Sequence, residues 1–310
     1  MPAIESIQVF QALNSSPNAR LEQSAALGEG LVAALWNNRH DAQEYHAPSH
    51  HTLSCYIDGG TGTFRRDRPD HKGAPGKLCT LPAGHESAWV INGEIRLAHL
   101  YISPQQFALS CITLLDREPR ELQLRENTFL DDAEQARRFR QLIQMNWSEP
   151  GERLRTSSLA HDMLSHAILD QVGLREGLRL KGGLAPHLRR LLVEFIDAHL
   201  ADPLSLGQLA GLCALSEYHF ARMFRESFGL PPHQYLLARR LTHARQLLRS
   251  TPMALGDIAL ECGFASASHF NNRFRQVVGA TPGEYRAAFG TPVSSGKSVT
   301  PASGSTPRLE

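Results

Sequence analysis

Long apolar runs are absent from this 310-residue chain, so no segment reaches the roughly 20 residues that a membrane-spanning helix requires. Cysteine is scarce and scattered: five residues, at 55, 79, 111, 213 and 262, with no CxxC pair. An odd number at wide spacing excludes a disulfide framework and a cysteine-based zinc site, and it fits a reducing cytoplasm. The first 30 residues hold Glu5, Glu22 and Glu29 and lack a basic start followed by an apolar stretch, so no signal peptide is expected. An excess of one charge is lacking too, since the formal net charge is +1. Apolar residues make up 42% and charged residues 20%, which supports a packed core and excludes wholesale disorder. The length suggests two domains.

Lysine is missing from residues 184–289, where all 11 basic residues are arginine against 8 acids, a net of +3. Residues 1–183 carry a net of −3. Arginine suits bidentate phosphate and guanine contacts, but a bias this small does not decide function. Pattern decides it. Residues 290–310 are mostly Gly, Ser, Thr and Pro and read as a disordered tail. Residues 30–125 hold short runs broken by turn signals: 53–57, 60–64, 77–81, 95–102 and 121–124. Such spacing reads as an antiparallel sandwich or small barrel. Residues 132–147 and 156–172 then show helical periodicity, through Ala136, Phe139 and Leu142 and through Met163, Leu164, Ala167 and Ile168. Residues 179–184 look like a linker, and helix follows to residue 289.

An internal repeat is the sharpest feature. Leu206, Gly207, Ala210 and Cys213 recur 49 positions later as Leu255, Gly256, Ala259 and Cys262. After one inserted residue, Ser216, His219, Phe220, Phe224, Arg225, Gly229, Pro232 and Tyr235 recur as Ser266, His269, Phe270, Phe274, Arg275, Gly279, Pro282 and Tyr285. Each copy reads as a short helix, a turn, and a second helix capped by serine and ended by glycine. That is a helix-turn-helix, present twice, with residues 232–249 as the joining helix. The phenylalanine pairs mark the buried stripe. Tyr218, Ala221, Arg222 and Arg225 then face outward, as do Ser268, Asn271, Asn272 and Arg275, with His269 at the margin. Arg222 suits guanine, Asn271 or Asn272 suits adenine, and Arg225 and Arg275 suit phosphate.

The run 258–286 resembles the signature of the AraC/XylS family of bacterial transcription regulators. Ile258-Ala259, Gly263-Phe264, Ser266, Phe270, Phe274-Arg275, Gly279, Thr281-Pro282 and Tyr285-Arg286 carry that likeness. The first half is more loosely similar to the cupin-like effector domain often found ahead of this module, through His50-His51, Gly60, Gly62, Pro75-Gly76 and residues 81–85. The resemblance implies an α+β chain. Residues 1–178 would form a cupin-like regulatory and dimerising domain with flanking helices, and residues 185–289 an all-α domain of two helix-turn-helix units. It also implies two recognition helices in successive major-groove segments, ~34 Å apart. By the family pattern Tyr218, Ala221 and Arg222, then Ser268, His269, Asn271 and Asn272, occupy base-reading positions. Asn272 stands where an arginine is common, and Ala221 offers at best a methyl contact. The partners implied are double-stranded DNA, a second copy of the chain, a small effector and RNA polymerase.

Several histidines of the first half are candidate metal ligands. His46, His50, His51, His85 and Glu86 could converge, but the cupin spacing of His-x-His followed by Glu is absent, and adjacent His50 and His51 point to opposite faces of a strand. No metal and no cofactor is expected. Trp36, His50, Tyr56, Trp89, His99 and Tyr101 are candidates for an effector pocket or for core. Cys55, Cys79 and Cys111 lie in apolar runs with no adjacent base and read as buried thiols. The sequence therefore points to a cytoplasmic regulator without enzymatic activity. Two rivals stand beside it: a cupin-type enzyme with a DNA-binding module, and a ligand-independent regulator whose first half only dimerises.

Overall fold

A computed structural model describes residues 4–175 and 182–290. Half of the linker expected at 179–184 and nearly all of the tail expected at 290–310 lie outside those residues. The chain opens with α1 (Gln8–Ser15), then β1 (Ala19–Gly28), β2 (Leu31–His46), β3 (His51–Gly59), β4 (Thr63–Arg65), β5 (Arg68–Lys72), β6 (Leu78–Leu81) and β7 (Glu86–Ile102). Helix α2 (Pro104–Leu115), β8 (Leu122–Leu124), β9 (Asn127–Leu130), α3 (Ala133–Gln144), α4 (Pro150–Gln171) and β10 (Val172–Leu174) complete the first half.

One antiparallel sheet of eight strands runs β1-β2-β7-β3-β6-β9, with β4 joining β7 to β5. Strand β7 is long enough to pair β2 along one edge and both β3 and β4 along the other. The sheet wraps round, because Phe129 of β9 meets Tyr56 of β3 and Trp89 of β7 edge-on at 5.4 and 6.0 Å. Both faces are buried, so β2 begins as the continuous apolar run 31–36 rather than alternating. Ala33 and Leu35 point to an outer core with α2, α3 and α4, while Val32, Ala34 and Trp36 point inward. Helix α1 lies against the inner core, with Phe10 4.9 Å from Trp36.

The structure corrects the reading of residues 30–125 as strands alone. Helix α2 lies among them, capped by Ser103 Oγ, which accepts from Gln106 N–H at 3.1 Å. Seven of residues 107–115 are apolar, all but Ser110 and Thr113, and in so dense an apolar run periodicity does not separate helix from strand. Helix α1 and strands β1, β2, β5, β9 and β10 are further elements outside the strand runs expected from sequence.

The second half is all helix: α5 (Pro186–Ala198), α6 (Leu206–Leu212), α7 (Glu217–Phe228), α8 (Pro232–Ser250), α9 (Leu255–Glu261), α10 (Ala267–Val278) and α11 (Pro282–Phe289). The repeat expected from sequence is α6–α7 and α9–α10, joined by α8. Phe220, Phe224 and Phe228 form one buried stripe with Tyr235, and Phe270, Phe274 and Val278 form the equivalent with Tyr285.

The halves pack against each other at three places or more. Ile112 of α2 joins the core of the first helix-turn-helix, and Leu154 of α4 joins the core of the second. At the tight β1–β2 turn, Gly28 lies against the end of α10. A Cβ there would stand 2.7 Å from Val277 O, and φ is +89°, so only glycine fits. Glu29 N–H donates to Val277 O at 3.2 Å.

Candidate nucleic-acid interface

Helices α7 and α10 are built alike. Ser216 Oγ accepts from His219 N–H and Ser266 Oγ from His269 N–H, at 3.4 and 3.1 Å. Gly229 and Gly279 end the helices in the left-handed region, at φ 70° and 86°. The turns before the helices also need a positive φ, supplied by Ala214 (54°) and Gly263 (71°). Caps at both ends satisfy free backbone groups and hold each helix in register on its phenylalanine stripe.

Opposite those stripes stand the residues expected to read DNA. On α7, Tyr218 is 83% exposed, Ala221 is half-buried, and Arg222 and Arg225 are exposed. On α10, Ser268, His269, Asn271, Asn272 and Arg275 are all exposed. The His269 ring leans edge-on against Phe264 at 5.7 Å, so its position at the margin is set by packing. Arg222 Nε lies 3.8 Å from Glu226 Oε1, one turn below, so the guanidinium is held lightly on its own helix.

Sequence reasoning passed over three exposed or half-exposed polar residues on these faces: Glu226, Arg273 and Gln276. Arg273 Nη1 donates to Gln276 Oε1 at 3.1 Å. Counting four residues on from Arg222 and Asn272 would have found Glu226 and Gln276. The two faces differ in charge. Helix α7 balances Arg222 and Arg225 with Glu217 and Glu226, whereas α10 carries Arg273 and Arg275 and no acid. The partial positive charge of each helix N-terminus adds to both.

Residues 209–288 match the family model described as "Helix-turn-helix domain", and residues 30–164 match "AraC-like ligand binding domain". The chain belongs to the AraC family of transcriptional regulators. It is 24% identical to the regulatory protein PocR of Salmonella typhimurium, over 89% of this chain and 94% of PocR. It is 27% identical to the transcriptional activator RhaS of Escherichia fergusonii, over 78% of this chain and 87% of RhaS. With the probable transcriptional regulator LumQ of Photobacterium leiognathi the identity is 34%, over 31% of this chain and 39% of LumQ. LumQ thus shares less than half of its length with this AraC-family chain.

The six candidates for an effector pocket do not surround one space. Tyr56, Trp89 and His99 line a cavity of about 40 Å³ inside the sheet. Trp36 packs under Phe10, and His50 and Tyr101 face a separate depression outside. His51 Nδ1 accepts from Ala83 N–H (3.0 Å), and His85 Nδ1 donates to Pro82 O (2.8 Å), so both brace the 82–85 turn. His46, by contrast, is exposed. Among the described residues, no group of three or more His, Cys, Asp or Glu is placed to hold a metal, and no helix is long and apolar enough to cross a membrane.

Proposed function

We propose that this chain is a sequence-specific DNA-binding regulator whose α7 and α10 enter successive major-groove segments. The observation that carries the reading is the duplicated capped helix, whose outer face presents hydrogen-bonding and basic side chains at equivalent positions twice. Tyr218, Ala221 and Arg222, and Ser268, His269, Asn271 and Asn272, are the proposed base contacts. Arg225 and Arg275, a turn closer to the C-termini, are the proposed phosphate contacts. Residues 1–178 regulate and dimerise, residues 179–184 link, and residues 185–289 bind DNA, in the cytoplasm and in reach of RNA polymerase.

The apolar faces of α3 and α4 are spent on their own sheet, through Phe139, Leu142, Met163 and Ile168. A dimer would therefore pair through other surfaces, where Leu169 and Leu174 are exposed. Regulator rather than enzyme is also what the thiols support: burial pushes Cys55, Cys79 and Cys111 up to about 12, which keeps them protonated and unreactive.

A selection of genomic fragments with purified protein at near-physiological salt tests the reading. The expected result is one enriched motif of two short elements a helical turn apart, with affinity falling steeply as salt rises. A flat salt response would refute DNA as the ligand. Arg222→Ala should weaken binding by about 1–3 kcal/mol and relax one base position. Equal loss on every sequence would instead assign Arg222 to phosphate.

A further inference from the structure

Glu226 is an acid on a face proposed to meet DNA. It stands four residues beyond Arg222 on α7, about 40° further round the helix. Duplex DNA carries a negative charge every ~1.7 Å along its axis, so a carboxylate there lowers affinity for every sequence alike. Both of its oxygens are engaged. Oε1 forms an ion pair with Arg222, 3.8 Å from Nε, between side chains that are 36% and 62% exposed. Oε2 lies over Gly182 of the linker, so close that a Cβ on Gly182 would run into it. Gly182 is fixed in turn. Its φ is +72°, and its carbonyl accepts from Arg120 Nη2 at 3.1 Å. Arg120 belongs to the first half, where it pairs with buried Glu118. Leu184 N–H donates to buried Ser227 Oγ at 2.7 Å, which clamps the end of the linker on α7 beside Glu226.

The guanidinium gives this ion pair a consequence for base reading. Of its five N–H donors, Nε carries one and the two Nη atoms carry four. Guanine O6 and N7 accept two of them side by side. A carboxylate on Nε leaves the Nη atoms free and restricts the plane in which they point. A side chain held in advance loses less rotamer freedom on binding. Exclusion of water at the groove lowers the local dielectric and strengthens the pair as DNA docks. The second reader repeats the arrangement with neutral groups. Fifty positions on, Gln276 stands in the place of Glu226 and Asn272 in the place of Arg222. The acid goes with the arginine reader, the amide with the amide reader. Gln276 also accepts from an arginine of its own helix, Arg273 Nη1, at 3.1 Å.

We infer that Glu226 is a positioning residue for Arg222: backed by the linker through Oε2, it holds Nε through Oε1 and aims the Nη atoms at a guanine. Glu226 contacts no base itself. This rests on the reading of Arg222 as a base contact, and it names what sets the selectivity of that contact.

The test uses full-length protein and the duplex enriched in the fragment selection. The position relaxed by Arg222→Ala is made each of the four base pairs in turn, and an unrelated duplex is titrated beside them at one salt concentration. Glu226→Gln should lower the preference for guanine at that position about threefold. Affinity for the unrelated duplex should hold or rise, because one negative charge has left the DNA side. Gly182→Ala keeps every charge and should lower the same preference by displacing the carboxylate. In an Arg222→Ala background, Glu226→Gln should leave base preference where it was. An unchanged preference in both Glu226→Gln and Gly182→Ala would overturn the inference. So would a sharper preference, which would mean that Glu226 holds Arg222 away from the bases. Equal weakening on all duplexes would make Glu226 a structural residue only. If Arg222→Ala relaxes no position, the reading of Arg222 itself has failed. If it relaxes one and Glu226→Gln does not, only the positioning role has.

Discussion

His99 ends a buried file of polar groups. Trp36 Nε1 donates to Tyr101 Oη at 3.3 Å, and that oxygen lies 2.9 Å from His99 Nδ1. Burial lowers the pKa of His99 to about 3, helped by nearby His50, and lowers His50 and His51 to about 4. All three are neutral at pH 7. In the unfolded chain an imidazole titrates near 6.5, so from there downward the unfolded chain takes up protons that the folded one refuses. Stability should fall as pH drops from about 6.5 to 4, by about 1.4 kcal/mol per pH unit for each such histidine. Thermal midpoints across that range check this, and a flat profile would contradict it. On the DNA-facing side, Arg275→Ala should weaken all sequences alike and reduce the salt slope by about 1. A changed base preference would show that Arg275 reads bases instead. Residue types at α7 and α10 were legible because a helix of known phase exposes every third and fourth position. The partners of His50 and His51 were not, because Tyr101 and Ala83 lie far from them in the chain.

At the scale of elements, the paired helices were the most readable part, since serine caps, glycine ends and phenylalanine stripes all act within one turn or two. Ser266→Ala should cost about 1 kcal/mol through the lost cap. Phe224→Ala should cost about 3–5 kcal/mol, because that ring is fully buried and stacks on Phe228 at 4.1 Å. Denaturant titration followed by circular dichroism measures both, and equal losses would contradict the assigned burial. Strands β3, β4, β6, β7 and β8 were located at least in part, but β2, β5, β9 and β10 were not, nor was the strand order, and β8 and β10 form a separate two-stranded sheet. Helix α2 was hidden by the dense apolar run in its second half. Helix α1 was hidden by its length of eight residues and by the lack of a side-chain cap. That missed helix matters, because Phe10 and Leu13 help to fill the interior where an effector pocket was sought.

In the whole molecule, Glu29 ties three elements that are remote in sequence. Burial alone would raise its pKa, but Arg245 and His161 outweigh that and hold the carboxyl well below the usual range. A depressed carboxylate contributes its stability above about pH 4.5 and loses it as pH falls below. Glu29→Gln should destabilise the seam by about 3–5 kcal/mol, because it leaves Arg245 buried without its counter-charge. Hydrogen exchange at the C-terminal end of α10 should then quicken while α7 stays protected. Equal exchange in both helices would show that the seam does not hold the second reader. By itself, the sequence determined the class of fold, the duplication, the capped reading helices and the type of side chain on their outer faces. Those follow from local spacing: 3.6 residues per helical turn, caps one turn away, and a repeat at a constant offset. Only the tertiary structure decided how the sheet wraps, that its interior is filled, and that Glu29, His161 and Arg245 meet where the two halves join. Glu29, His161 and Arg245 lie more than 80 positions apart, and no local periodicity encodes which distant side chains share a buried space.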